Sequence, residues 1–198
     1  MNRTALILKN MGRLYFVRHG ETYWNVENKI CGATDIALTP LGHEQAIRTA
    51  EEIVRSGIRF DEIISSPLIR AADTAKHISE ITGIPMRLDD RLTEQNFGRY
   101  ESTARNGEEF QKAKEQFADR FGNGESMLHL AQRIYNLLDE LRQDPEERSF
   151  LLAAHNGIAR VVESYFRPMS NGEYASFGVK NCAVLCYDWR KGRTDYIV

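Results

Sequence analysis

Short apolar runs alternate along the chain with longer segments in which apolar residues recur every three or four positions. Each run has the length of a buried strand, and the parallel strands of α/β sheets are continuous apolar stretches. The runs that predict strands are LYFV (14–17), FDEIISS (60–66), MRLDDRL (86–92) and SFLLAA (149–154). The end of the chain, NCAVLCYDW followed by RKGR and TDYIV, predicts a hairpin.

Two segments with helical spacing follow the first two strands. Thr39 and Pro40 predict the start of the first helix, because Thr caps helices and Pro fits the first helical position. Ser66, Pro67 and Gly83 predict the two ends of the second helix.

Further helices are predicted in the second half of the chain, at 127–141 after a Ser126 cap and at 158–166. From Ser102 to Phe121 the composition becomes polar and predicts a surface helix over the main body. Its thin apolar stripe consists of Phe110, Ala113, Phe117 and Phe121.

Strands that alternate with helices predict a three-layer α/β/α sandwich, with a mainly parallel sheet and an antiparallel edge hairpin. The 198 residues, 42% of them hydrophobic, fit one globular domain. We expect that domain at 12–198, preceded by an N-terminal arm at 1–11.

Charge and cysteine content narrow the classes of partner and compartment. The formal net charge is -2, so no overall field favours nucleic acid or an anionic membrane. Three cysteines are too few for the disulfide framework of a secreted domain, and no apolar run is long enough to span a bilayer. These features predict a cytoplasmic protein without a nucleic-acid or membrane partner.

Basic side chains follow three of the predicted strands. Arg18 and His19 come after the first strand, Arg70 lies in the first turn of the helix after the second, and His155 follows SFLLAA. Taken singly, such residues are more often solvated or structural than catalytic. Because ligands bind at the carboxyl ends of parallel strands, the four together predict an anion pocket suited to a phosphoryl group.

Five motifs in order resemble those of the histidine phosphatase superfamily, also called phosphoglycerate mutase-like. They are VRHGETYWN, GATDIALTPLGHEQA, SSPLIRAADTA, RLTEQNFGRYE and AAHNGIAR, and the resemblance extends from about residue 13 to the C-terminus. Its small broad-specificity phosphatases are the members that the chain resembles most. RHG alone would be a weak signal, whereas five motifs in the family's order are a strong one.

The resemblance implies a role for each matched residue. His19 would become phosphorylated, and Arg18, Asn25, Arg70 and His155 would hold the oxygens of the transferring phosphoryl group. A further residue, Glu94, would be the general acid for the leaving oxygen and then the base for water.

The resemblance implies a metal-independent enzyme that needs no cofactor, with residues 99–125 as a cap segment over the site. The sequence itself contains no zinc spacing, P-loop or dinucleotide glycine motif. The cap contains Arg105, Lys112, Lys114 and Arg120, which on an amphipathic helix are usually a solvated face.

Six other polar positions are given a structural interpretation or no assigned role. Glu21 could lie near the site, but a carboxylate that orients its neighbours is an interpretation at least as good. Glu101 is placed near the entrance only by the resemblance. For Asn156 we expect a helix cap rather than a phosphate contact. His43 and His77, like His129, match no motif and are expected at surface or boundary positions.

Two enzymatic functions and one binding function remain open. A phosphatase passes the phosphoryl group to water and a mutase passes it to another hydroxyl of a sugar acid. The chain lacks the basic, proline-containing insertion that the resemblance assigns to cofactor-dependent phosphoglycerate mutases, which favours a phosphatase for a small phosphomonoester. A non-catalytic binder of a phosphorylated ligand ranks lower, because His19 and Glu94 are both present. The sequence does not decide whether the chain forms a homodimer.

Overall fold

The computed structural model describes residues 12–144 and 146–196, which form a six-stranded sheet in the order β3-β2-β4-β1-β5-β6. The strands are β1 (Arg13–Arg18), β2 (Glu62–Ser65), β3 (Met86–Leu88), β4 (Phe150–Ala154), β5 (Val184–Asp188) and β6 (Gly192–Tyr196). The pairs β1–β4, β2–β4 and β2–β3 are parallel, and β5 is antiparallel to both β1 and β6. The predicted mainly parallel sheet with an antiparallel edge hairpin is therefore confirmed.

The helices are α1 (Tyr23–Val26), α2 (Pro40–Ser56), α3 (Ile69–Thr82), α4 (Glu108–Ala113), α5 (Met127–Arg142), α6 (Asn156–Phe166) and α7 (Asn171–Ser176). Alternate side chains of β1 point to opposite faces of the sheet, as the strand period requires. Tyr15 and Val17 pack with α2 and α3, whereas Leu14 and Phe16 pack with α5 and α6. Two helical layers therefore enclose the sheet.

The predicted helix boundaries follow local chemistry. Thr39 caps α2 by accepting a hydrogen bond from Gly42 N at 3.0 Å, and Pro40 is the first helical residue. Ser126 caps α5 in the same way. Gly83 ends α3 with φ of 72°, a left-handed conformation that glycine adopts without steric cost. The predicted start of α3 at Ser66 and Pro67 is too early, because α3 begins at Ile69, whose N–H donates to a distant carboxylate, Asp35.

The predicted surface helix from Ser102 to Phe121 is wrong. Only α4 is helical, and the two end residues of the predicted helix, Ser102 and Phe121, have positive φ, which a right-handed helix does not contain. Phe110, Ala113 and Phe121 pack in a separate apolar cluster with Ile30, Phe97 and Tyr100. Three of the four apolar residues of the stripe therefore stabilise a compact, largely aromatic cluster rather than one face of a long helix.

Other differences are smaller. β3 ends at Leu88, because Asp89 caps a short 3-10 turn at Asp90–Leu92. α6 begins at Asn156, two residues before its predicted start, and α1 and α7 were not predicted. The predicted arm at 1–11 lies outside the described residues. No helix in the described ranges has the length and apolarity to cross a membrane.

Candidate active site

Three strands deliver basic side chains to one edge of the sheet. β1 ends at Arg18 and leads to His19, β2 leads to Arg70 in the first turn of α3, and β4 leads to His155. β4 lies between β1 and β2, so the three ends are neighbours. The imidazole centroids of His19 and His155 are 5.2 Å apart. The structure thus brings together the four basic residues of the predicted anion pocket.

His19 is held in one tautomer. Its Nδ1 lies 2.7 Å from the carbonyl oxygen of Gly20, which can only accept, so Nδ1 carries the proton. Nε2 is then unprotonated. Burial, followed by the charges of Arg18 and Arg70, holds the pKa of His19 well below its ordinary value. The ring is therefore neutral at physiological pH and can act as a nucleophile.

Arg70 and His155 form a fully buried pair. Arg70 Nε donates to Nδ1 of His155 at 3.2 Å, so the neutral ring carries its proton on Nε2, 2.8 Å from Ser66 Oγ. The terminal nitrogens of Arg70 donate to the carbonyl oxygens of Gly32 and Thr34, at 2.7 and 2.9 Å. Each terminal nitrogen retains a second N–H group that a phosphoryl oxygen could accept.

Burial and the charge of Arg70 also hold the pKa of His155 well below its ordinary value. Both histidines at this edge are therefore neutral, and the positive charge of the site comes from guanidinium and ammonium groups.

Arg18 is anchored through one nitrogen. Its Nη1 donates to the carbonyl oxygen of Val179 at 2.7 Å, whereas its buried Nε has no hydrogen-bond partner among the described residues. Burial, and then the charge of Arg105, lower the pKa of Arg18 to about 10. A buried donor without a partner is unfavourable in the free protein and is available to an anion.

Asn25 is oriented by its amide oxygen, which accepts from Thr22 N at 3.1 Å and from Asn181 Nδ2 at 3.3 Å. The first bond belongs to the capping box of α1. Because the oxygen is occupied, the N–H₂ group of Asn25 is left for the cavity that this residue lines.

Glu94 lies at the N-terminus of α6. One carboxylate oxygen accepts from Gly157 N and the other from Gln95 N, both at 2.9 Å. The N-terminus of a helix favours a carboxylate, and a side chain at 157 would overlap Glu94. The glycine is therefore required for the approach of the carboxylate to the helix.

An open cavity of about 170 Å³ lies at this edge. Arg18, His19, Asn25 and Glu94 line it, whereas the buried Arg70 and His155 are not among its lining residues. The rest of the wall includes apolar Ile30, Phe97 and Phe110 and the cations Arg105, Lys114 and Arg160. No group of three or more His, Cys, Asp and Glu side chains that could hold a metal ion occurs in residues 12–144 and 146–196.

Two acidic residues near the motifs organise loops. Glu21 accepts from Thr39 Oγ1 at 2.9 Å, next to the start of α2. Glu101 accepts from the backbone N–H groups of Ala33, Thr34 and Phe97 at 2.8 to 3.2 Å and also from the Thr34 hydroxyl. It therefore joins the loop at 31–35 to the segment at 97–101.

The expected helix cap at Asn156 is wrong. The cap position is His155, which has extended φ and ψ, and Asn156 is already the first residue of α6. Its Oδ1 instead accepts from Val179 N at 2.8 Å, and the residue lines the cavity. His43 and His77 are partly buried and join α2 to α3 through Nδ1 and Nε2, 3.0 Å apart.

Several side chains that complete the site were given no role in it from the sequence. Ser66 orients His155, Asn181 orients Asn25, and Arg160 lines the cavity from α6. Of the four cap cations considered from the sequence, Arg105 and Lys114 line the cavity. Arg160 lay within a helical pattern, where spacing alone does not identify the face that meets a cavity.

The motifs and the geometry agree with a sequence match over nearly the whole chain. The family model of the histidine phosphatase superfamily (branch 1) matches residues 14–197. The chain belongs to this superfamily. It is 32% identical over 185 residues to the "Probable phosphoglycerate mutase GpmB" of Erwinia tasmaniensis, covering 90% of this chain and 85% of the relative.

Solved structures of the superfamily share the fold. The mycobacterial glucosyl-3-phosphoglycerate phosphatase in complex with VO3 superimposes with a TM-score of 0.80 and 27% identity, covering 94% of this chain and 98% of that chain. A structure named "Mycobacterial hydrolase 1" superimposes with a TM-score of 0.78 and 28% identity, covering 92% and 95%. Relatives thus carry both phosphatase and mutase names.

Proposed function

We propose that this histidine phosphatase superfamily member is a metal-independent phosphatase for a small phosphomonoester, acting through phosphohistidine at His19. The observation that carries the proposal is the tautomer of His19, which leaves Nε2 unprotonated in a cavity lined by cations and by Glu94. A neutral imidazole nitrogen among fixed positive charges is suited to attack phosphorus, because phosphoryl transfer depends mainly on positioning and charge stabilisation.

The proposed reaction has two steps. His19 Nε2 attacks phosphorus, the bond from phosphorus to the ester oxygen breaks, and Glu94 donates a proton to that oxygen. Water then attacks the phosphohistidine, Glu94 accepts its proton, the P–N bond breaks and inorganic phosphate leaves. Arg18, Asn25, Arg70 and His155 are proposed to hold the phosphoryl oxygens.

A phosphoglycerate mutase is the second candidate, because the relatives at about 32% identity carry that name. In that reaction the phosphoryl group would pass from His19 to a second hydroxyl of the substrate. The short polar segment between Gly98 and Ser126, with only six helical residues, favours the phosphatase because it lacks the basic insertion expected of a mutase.

The test is hydrolysis of p-nitrophenyl phosphate in EDTA by the wild type and by His19→Ala. We expect metal-independent phosphate release by the wild type and a loss of at least about 10³-fold in the variant. The control is His129→Ala, which changes an exposed histidine of α5 and should retain full activity. Full activity of His19→Ala would contradict the assigned nucleophile.

Two further measurements separate the candidates. Incubation with substrate and rapid quenching should trap a protein-bound, acid-labile phosphoryl group that His19→Ala lacks. In an assay for the interconversion of 3-phosphoglycerate and 2-phosphoglycerate, we expect the protein to release phosphate rather than to form the isomer. Strong isomerisation without phosphate release would support the mutase.

A further inference from the structure

Three cations line the cavity outside the proposed phosphoryl-binding set. Arg105 lies just before α4, Lys114 lies at its end, and Arg160 lies in α6. Each is anchored by one hydrogen bond to a backbone carbonyl. Arg105 Nε donates to Lys29 O at 2.9 Å, Lys114 Nζ to Ala175 O at 3.4 Å, and Arg160 Nε to Phe177 O at 2.9 Å. Carbonyl groups orient these side chains without neutralising them.

These three cations have no acidic partner at contact distance. None of them forms an ion pair within 4.0 Å of a carboxylate in the part of the chain that the structure describes. Burial lowers the pKa of all three, and repulsion by Arg160 further lowers the pKa of Arg105 and Lys114, although the charge of Glu94 partly offsets the lowering for Arg105 and Arg160. The cluster is therefore electrostatically unfavourable without an anion.

A phosphoryl group alone would not balance this charge. With Arg18, the wall carries four cationic side chains, and Glu94 is its one carboxylate among the described residues. A phosphomonoester has a charge between about −1.5 and −2 at neutral pH. Positive charge would therefore remain on the wall after the phosphoryl group is bound.

The position of Arg160 relative to Glu94 follows from α6. Arg160 follows Asn156 by four residues, so both side chains lie on the same face of α6, about 6 Å apart along its axis. The N-terminal end of that face holds Glu94 through Gly157 N. Arg160 therefore lines the cavity about one helical turn along α6 from the backbone that holds the proposed general acid, and it shares that cavity with His19.

We propose that Arg105, Lys114 and Arg160 form a subsite for a second anionic group of the substrate, a carboxylate or a second phosphate. The substrate class is then a small phosphomonoester that carries a further negative charge beyond the ester bond. This inference rests on the proposed phosphatase function, which supplies the position of the first phosphoryl group.

The experiment compares substrates that differ in the second anion. 3-Phosphoglycerate and glycerol 3-phosphate share a three-carbon skeleton and differ by a carboxylate in place of a hydroxymethyl group. Fructose 1,6-bisphosphate and fructose 6-phosphate differ by a second phosphate. We expect kcat/KM to be higher by about tenfold or more for the doubly anionic member of at least one pair, and that pair identifies the source of the second anion.

Matched variants assign the effect to these side chains. Lys114→Met and Arg105→Gln should each reduce the preference for the doubly anionic substrate by about fivefold or more. Their controls are Lys112→Met and Arg120→Gln, which change exposed residues of the same segment that do not line the cavity and should keep the wild-type preference.

Binding to His19→Ala, measured by calorimetry with the same four compounds, makes the result independent of turnover. If no compound is hydrolysed but the doubly anionic compounds bind more tightly, the phosphatase proposal fails and the subsite stands. If hydrolysis and binding show no preference, or if Lys112→Met lowers the preference as much as Lys114→Met, the subsite is overturned and the phosphatase proposal is unaffected.

Discussion

The cations of the cavity differ from the arginines that form ion pairs elsewhere in the described chain. Two such pairs are Arg133 with Glu125 at 2.8 Å and Arg148 with Asp144 at 2.9 Å. In the cavity, by contrast, Arg160 contacts a backbone carbonyl. Arg133 and Arg148 are therefore paired with carboxylates, whereas Arg160 is oriented by a carbonyl group that does not neutralise it.

The difference implies that the unpaired cations of the cavity lower the stability of the folded protein. A buried charge without a partner costs free energy, whereas a carboxylate beside Arg18 or Arg70 would reduce that cost and repel a phosphoryl group. Donors held by carbonyl oxygens keep their direction and their charge. The contrast predicts that substitutions at the candidate active site change activity most, and that substitutions among the paired arginines have smaller effects.

Among the substitutions that test this contrast, the largest effect is expected for Arg70→Lys. Lysine keeps the charge, but its single nitrogen cannot bond His155, Gly32 and Thr34 at once and also contact a phosphoryl oxygen. The loss of two charge-assisted hydrogen bonds predicts a decrease in kcat/KM of about 10³-fold. Steady-state kinetics with p-nitrophenyl phosphate measure it.

Arg148→Lys is the matched control for Arg70→Lys. Arg148 pairs with Asp144 and, unlike Arg70, does not bond His155, so kcat/KM should remain within about twofold of wild type. Equal losses in the two variants would show that the contrast between paired and unpaired arginines has no functional meaning.

The next effect concerns Gly157→Ala. The added methyl group would overlap the carboxylate of Glu94, which lies at the end of a flexible side chain, so Glu94 should move while the fold is retained. We expect kcat/KM to fall by about 10- to 100-fold, with the largest loss for substrates with poor leaving groups. Glu94→Gln should show the same dependence on the leaving group.

Gly172→Ala provides the control for Gly157→Ala. A methyl group at this position of α7 would meet no atom within 4 Å, so activity should be unchanged. A Gly157→Ala loss that is the same for good and poor leaving groups would argue against Glu94 as the general acid.

Much of the fold could be predicted because its signals are local. The apolar runs predicted β1, β2 and β4, and Thr39, Ser126 and Gly83 predicted helix ends through their own side-chain or backbone chemistry. Asp35 at the start of α3 could not be predicted, since the cap comes from 34 residues away. The segment between Ser102 and Phe121 misled because its aromatic spacing also fits a compact apolar cluster.

The site divides in the same way. The ends of adjacent parallel strands meet at one edge, so the grouping of Arg18, Arg70 and His155 could be predicted from the order of the elements. Whether Arg105 or Arg120 faces the cavity depends on the path of an irregular backbone segment. Neither helical nor strand periodicity in the sequence predicts that path. Periodic patterns therefore predict the residues at the strand ends better than they predict the residues that line the rest of the cavity.

The smallest expected effect is a pH dependence of the free energy of unfolding, caused by the two buried histidines of the site. Burial and neighbouring arginine charges hold the pKa of His19 and of His155 well below the ordinary value near 6.5. The unfolded chain therefore binds more protons than the folded one below pH 6.5. The free energy of unfolding should fall there by about 1 kcal/mol per pH unit for each histidine. Urea unfolding at pH 7.5, 6.5 and 5.5 measures it.

Variants assign this pH dependence to the site. His155→Gln should remove about half of the slope. His77→Gln should remove less, because His77 lies in the partly exposed contact with His43, where burial and the charge of His43 also lower its pKa. A wild-type free energy that stays constant from pH 7.5 to 5.5 would mean that the buried histidines are protonated in the folded protein. The contrast between a cationic cavity and neutral imidazoles would then be wrong.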